Sequence, residues 1–92
     1  MDKTRIVVTV LGADRSGIVA AVATKLSEND ANILDISQTI LSGLFTMTML
    51  VELDETKTTF DTLREGLLGL TGDLGVQIQV QREDVFKFMY RI

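Results

Sequence analysis

Short runs of β-branched residues alternate with stretches of helical spacing along this chain, and the switch from one period to the other marks its elements. Residues 5–11 (Arg-Ile-Val-Val-Thr-Val-Leu) end at Gly12 and form the pattern of a largely buried strand. Turn residues follow from Gly12 to Gly17, and Ile18, Val19, Val22, Ala23 and Leu26 then make the stripe of an amphipathic helix reaching about Glu28. Asn29-Asp30-Ala31-Asn32 breaks that helix. Ile33 to Leu41 reads as a second strand with Asp35, Ser37 and Thr39 on one face, and Ser42-Gly43 is a hairpin turn. In the third strand, Leu44 to Leu53, the residues Phe45, Met47, Met49, Val51 and Leu53 point one way and Thr46, Thr48 and Glu52 the other.

Thr58, with Asp61 three residues on, resembles a capping box ahead of Phe60, Leu63, Leu67 and Leu70 on one helical face. Gly66, Gly69 and Gly72 weaken this second helix, each interior glycine costing roughly 1 kcal/mol relative to alanine. Either tertiary packing holds a marginal helix, or the glycines clear a patch for another helix. Gly75 ends the unit, and Val76, Ile78 and Val80 alternate with Gln77, Gln79 and Gln81 in a fourth strand. Val85, Phe88, Met89 and Ile92 predict a short amphipathic helix over 83–92.

The order β-α-β-β-α-β predicts an α+β, ferredoxin-like sandwich: an antiparallel four-stranded sheet with both helices on one face. Right-handed crossovers place the first and third strands in the middle. The other face of the sheet then carries Arg5, Val7, Thr9, Ser37, Thr39, Thr46, Thr48, Gln77 and Gln79, polar and nearly uncharged.

Composition narrows the chemistry this fold can host. At 92 residues the chain suits one small domain, and 13 acidic against 9 basic residues (net charge −4) offer no general attraction to nucleic acid or anionic lipid. Neither cysteine nor histidine is present, which removes thiolate and imidazole metal ligands and the usual nucleophiles and general bases. No metal, cofactor or catalytic residue is expected. An RNA-binding module would need aromatic rings on the open face, where threonine and valine stand instead. Asp14, Asp30 and Asp35 show no spacing that demands an acid/base pair. A phosphohydrolase of acylphosphatase type would rely on Arg15, without an amide beside it in the loop. No stretch approaches a membrane span, and the short apolar run behind Met1 lacks a cleavage site, so the expected location is cytoplasmic.

What remains is the Gly12–Gly17 turn, which delivers the chain into a helix N-terminus whose open N–H groups favour an anion such as a carboxylate. The spacing is neither a P-loop nor a dinucleotide turn. Two readings stay open on spacing alone: a ligand site, or a tight turn with Asp14 or Ser16 capping the helix.

Asp14-Arg15-Ser16-Gly17-Ile18-Val19, followed by Asn32-Ile33-Leu34, resembles the signature of the ACT domain, a regulatory module of amino-acid-pathway enzymes. Asp35-Ile36-Ser37-Gln38-Thr39-Ile40, Phe45-Thr46-Met47 and Glu83-Asp84-Val85-Phe86 are similar to stand-alone ACT proteins related to the glycine cleavage system repressor. The resemblance implies an ACT domain over residues 1–82, with 83–92 packing on the domain or at a subunit interface. It also implies a homo-oligomer, dimer or higher, with an amino acid held where protomers meet. The implied ligand-binding residues are Gly12, Ala13, Asp14, Arg15, Ser16, Gly17 and Ile18, with Asn32 and Ile33 on the same or the neighbouring protomer. Backbone N–H groups at Ser16 to Ile18 would take the carboxylate, Asp14 the ammonium, and Asn32 either. The family's common proline is Ser16 here, and the histidine of its serine-binding members is Gly12. The expected function is a non-enzymatic regulatory domain that binds a small molecule and acts through oligomerisation and a partner protein. The alternative is an interaction module with a vestigial ligand site.

Overall fold

The computed structural model describes residues 3–13 and 17–85. Its elements are β1 (Lys3–Ala13), α1 (Ile18–Glu28), β2 (Ala31–Leu41), β3 (Leu44–Asp54), α2 (Phe60–Leu68), α3 (Leu70–Leu74) and β4 (Gln77–Arg82). The sheet is antiparallel in the order β2-β3-β1-β4, which is the ferredoxin-like arrangement with β1 and β3 central. β1 outruns its apolar stretch at both ends because pairing with β3 continues from Lys3↔Asp54 to Ala13↔Leu44.

Alternation carries Ile6, Val8 and Val10 of β1, Phe45 to Leu53 of β3, and Val76, Ile78 and Val80 into one core with Ile18, Val22, Leu26, Leu63 and Leu67. Val7 departs from the expectation. It lies on the open face but is only 6% exposed, being on a central strand between Leu50 and Gln81. Ser42 (φ 52°) and Gly43 (φ 79°) both take the left-handed conformation that a two-residue hairpin turn of type I′ requires.

The second helical unit needs two corrections. Its cap is Thr59, not Thr58: the Thr59 hydroxyl accepts from the Thr62 N–H at 3.1 Å. The unit also divides at Gly69 into α2 and α3. Both readings of its glycines hold in part. A Cβ at Gly66 would stand 3.2 Å from Lys25 Cδ on α1, so this glycine clears the approach of a neighbouring helix; Gly72 faces open space. Beyond β4, residues 83–85 are helical, and the remainder of the expected C-terminal helix lies outside the described residues.

At the edge of the sheet, β2 carries a bulge between Ile33 and Asp35. Directly paired residues share a face. Ile33, Ile36 and Ile40, opposite Val51, Met49 and Phe45, therefore point to the helix side, and Asp35, Ser37 and Thr39 to the open side. In a regular strand, without the bulge at Leu34, Asp35 would share the face of Ile33. The helices do not cover this strand: Ile33, Ile36 and Ile40 are 40%, 39% and 57% exposed.

Candidate ligand-binding site

The turn after β1 is shaped by two glycines with different physical duties. Gly12 is a packing position, since a Cβ there would stand 2.7 Å from Val76 Cγ1. Gly17 is a backbone position: φ is 93°, and it is the N-cap of α1 with its carbonyl accepting from the Ala21 N–H at 2.9 Å. Among the described residues no side chain caps this helix, and its first turn holds no acidic residue. Ala13 is exposed at the end of β1, whereas the side chain of Ile18 is fully buried in the core. Of Ile18 only the backbone is left to meet a ligand. Asp14, Arg15 and Ser16 lie outside the described residues.

Asn32 and Ile33 sit elsewhere. Gly12 pairs with Phe45, and Asn32 with Glu52. Those β3 positions are seven residues apart, roughly 24 Å at about 3.4 Å per residue. Within one protomer the two halves of the predicted site occupy opposite ends of the sheet, separated by the whole length of α1.

The Asn32 half opens onto a cleft of about 430 Å³ where the C-terminus of α1, the start of β2 and the β3–α2 turn converge. Its charged lining, Lys3, Asp30, Asp54 and Lys57, was not singled out as a site by sequence reasoning, because three separate segments contribute it. Asp30 holds φ 55° just past α1, and its N–H donates to the Ser27 carbonyl at 3.1 Å. Asp54 accepts from the Thr56 hydroxyl at 2.6 Å and the Thr56 N–H at 3.0 Å. Chiefly these bonds, aided by Lys57 and Lys3, hold its carboxyl below the usual carboxylate range. Lys3 pairs with Glu52 at 3.7 Å.

A second polar cluster ties the same end of the fold together. The Glu55 carboxylate accepts from the Thr4 hydroxyl, lies 3.5 Å from Arg82 and receives the Phe60 N–H at 3.4 Å. The Arg82 guanidinium stacks 4.6 Å from the centre of the Phe60 ring. The Thr4 bond, then those from Phe60 and Arg82, lowers the Glu55 pKa against the opposing effect of burial. This cluster joins β1, α2 and β4.

Comparison with known proteins adds the following. Residues 4–81 match the model of an ACT domain family. A UPF0237 protein of Methanocaldococcus jannaschii is 54% identical over 89 residues, covering 97% of this chain and 99% of the relative. An ACT domain protein from Streptococcus pneumoniae, of known structure, is 42% identical, covers 95% of this chain and 98% of its own, and superposes with a TM-score of 0.79. A protein assigned as a glycine cleavage system transcriptional repressor shares the fold at 22% identity and a TM-score of 0.78 over 87% of this chain, which spans 46% of it.

Proposed function

Because the chain belongs to the ACT domain family, we propose that it is a regulatory domain that binds an amino acid between two copies of itself and signals through a partner protein. The reading assigns it no reaction of its own, and it places that work in the cytoplasm. No helix among the described residues is long and apolar enough to cross a membrane.

The observation that carries the reading is the separation of Gly12–Ile18 from Asn32–Ile33. A site made of both needs a second copy, and the free edge of β2 supplies a way to add one. Edge strands present unpaired N–H and C=O groups, and this edge also exposes Ile33, Ile36, Ile40 and Leu41. A two-fold axis through Ile36 pairs the β2 strands antiparallel and, with the bulge at Leu34 taking up one residue, sets Asn32 opposite the partner's Thr39. Thr39 and Leu11 both pair with Thr46, so Asn32 then lies within one residue of the level of the partner's Gly12. The two halves that one protomer holds apart come to the same end of the seam, about 14 Å apart across three strand spacings of about 4.8 Å, and the N-terminus of the partner's α1 is the end of that helix that favours the carboxylate. Asn32 is exposed, ready to serve the carboxylate or the ammonium.

A thermal-shift screen against the proteinogenic amino acids tests this. A ligand at 100 times its dissociation constant stabilises the folded state by roughly 2.7 kcal/mol. An unshifted melting temperature with every amino acid refutes the ligand reading and favours an interaction module whose oligomer is itself the functional object.

A further inference from the structure

We propose that Asp30 and Lys57 are the charge partners of the bound amino acid, Asp30 for its ammonium and Lys57 for its carboxylate, inside the cleft onto which Asn32 opens. The inference rests on the amino-acid reading above and extends it to two residues outside the turn and the Asn32 segment.

Its first support is charge balance. The cleft is lined by two lysines and two aspartates, a net-neutral wall that matches a zwitterion; a purely anionic or cationic ligand would leave one pair of side chains facing a like charge. Two of the four are already engaged, Lys3 with Glu52 and Asp54 with Thr56, while Lys57 lies near enough to Asp54 to lower its pKa but beyond ion-pair distance. Among the described residues, neither the Asp30 carboxylate nor the Lys57 ammonium has an ion-pair partner.

Position supports the same assignment. Asp30 stands past the C-terminus of α1, where the helix dipole is negative and favours a cation, so the ammonium belongs at this end of the cleft. Lys57 lines the same cleft from the β3–α2 turn, which is closed by Lys57 N–H and Thr58 N–H donating to the Asp54 carbonyl at 3.0 and 3.2 Å. Both charged side chains therefore spring from backbone that is hydrogen-bonded in place. Leu26, Ala23 and Ala31 supply apolar lining, and about 430 Å³ falls within the usual range for small-molecule sites. A carboxylate has lone pairs enough for Lys57 and the partner's N–H groups together.

The test compares wild type with Asp30→Asn and Lys57→Gln. Both changes are on the surface, and asparagine tolerates the left-handed conformation of residue 30; circular dichroism and melting temperature confirm the fold. The probe is the amino acid that shifts wild type most, titrated by calorimetry beside its N-acetyl and methyl-ester derivatives. Expected are binding of the free amino acid alone, and a weakening of about tenfold or more in each variant, as for loss of a charge-assisted hydrogen bond. Wild-type affinity in either variant, or equal binding of the blocked derivatives, overturns the assignment and leaves the ligand reading standing. A wild type that binds no amino acid removes both.

Discussion

Replacing Gly12 by alanine separates a glycine kept for packing from one kept for ligand contact. The added Cβ would stand 2.7 Å from Val76 Cγ1, 3.2 Å from its Cβ and 3.4 Å from its Cα. Rotation about χ1 can move the Cγ1 atom away but not the Cβ or Cα, so the backbone ahead of β4 must shift. Overpacking of this kind costs about 1–3 kcal/mol. Alanine offsets roughly 0.4–1 kcal/mol of that by restricting the unfolded chain, since Gly12 does not hold a positive φ. The net loss lies between about 0 and 2.6 kcal/mol and centres on about 1.3 kcal/mol, a fall in Tm of roughly 5–10 °C for a domain of this size. The assay is thermal and urea unfolding followed by circular dichroism, run as a double-mutant cycle with Val76→Ala. Val76 is 6% exposed, and truncating it alone costs about 1–3 kcal/mol. In the double variant the methyl groups that obstruct the new Cβ are gone, so the combined loss should fall short of the sum by about 1 kcal/mol or more. Strict additivity with Val76→Ala would falsify the packing account.

Two other outcomes are expected. Glu55→Gln should lower stability by about 1 kcal/mol or less at neutral pH, the scale of a surface ion pair with its hydrogen bonds. The Glu55 pKa is lowered on folding from its ordinary 4.5, so its contribution is present above that value and disappears as pH falls through the folded pKa. Urea midpoints of wild type and variant should therefore converge in acid; a gap that persists or widens there contradicts the assignment. At the β2 edge, Ile36→Lys puts a charge on the proposed two-fold axis and should convert a dimeric wild type to monomer in sedimentation equilibrium while leaving the far-ultraviolet spectrum intact. A variant that sediments as wild type does rules out that edge as the interface.

Much of the fold was legible because it rests on local periodicity. The alternation at Phe45–Leu53 and the stripe Ile18-Val22-Leu26 report which side of each element meets the core, and both match the buried set. The hairpin at Ser42-Gly43 and the end of α1 before Asp30 follow from local backbone preference. Where neighbouring residues offer the same chemistry, local pattern cannot choose between them. Thr58 and Thr59 are equally able caps, and packing of Leu63 and Leu67 sets the helix phase that selects Thr59.

The candidate site was legible only in pieces. Its glycines stood out, but that Gly12 is held by Val76, a residue remote along the chain, is a fact of tertiary contact. Ile33, Ile36 and Ile40 look in sequence like any buried strand; the expected strand order puts them at an edge, and only the placement of the helices leaves that edge uncovered. The cleft charges Lys3, Asp30 and Lys57 carry no common motif and converge only when β1, the end of α1 and the β3–α2 turn come together.

By itself, then, the sequence determined the element order, the core faces and, through resemblance, the family, because each depends on neighbours a few residues apart. Only the tertiary structure decided that the turn at Gly12–Ile18 and the segment at Asn32–Ile33 lie at opposite ends of one protomer. That separation follows from an 11-residue helix joining them, which travels the length of the sheet before the chain can turn back. Local pattern fixes what each segment is; the lengths of the elements and the order of the strands fix which segments can meet.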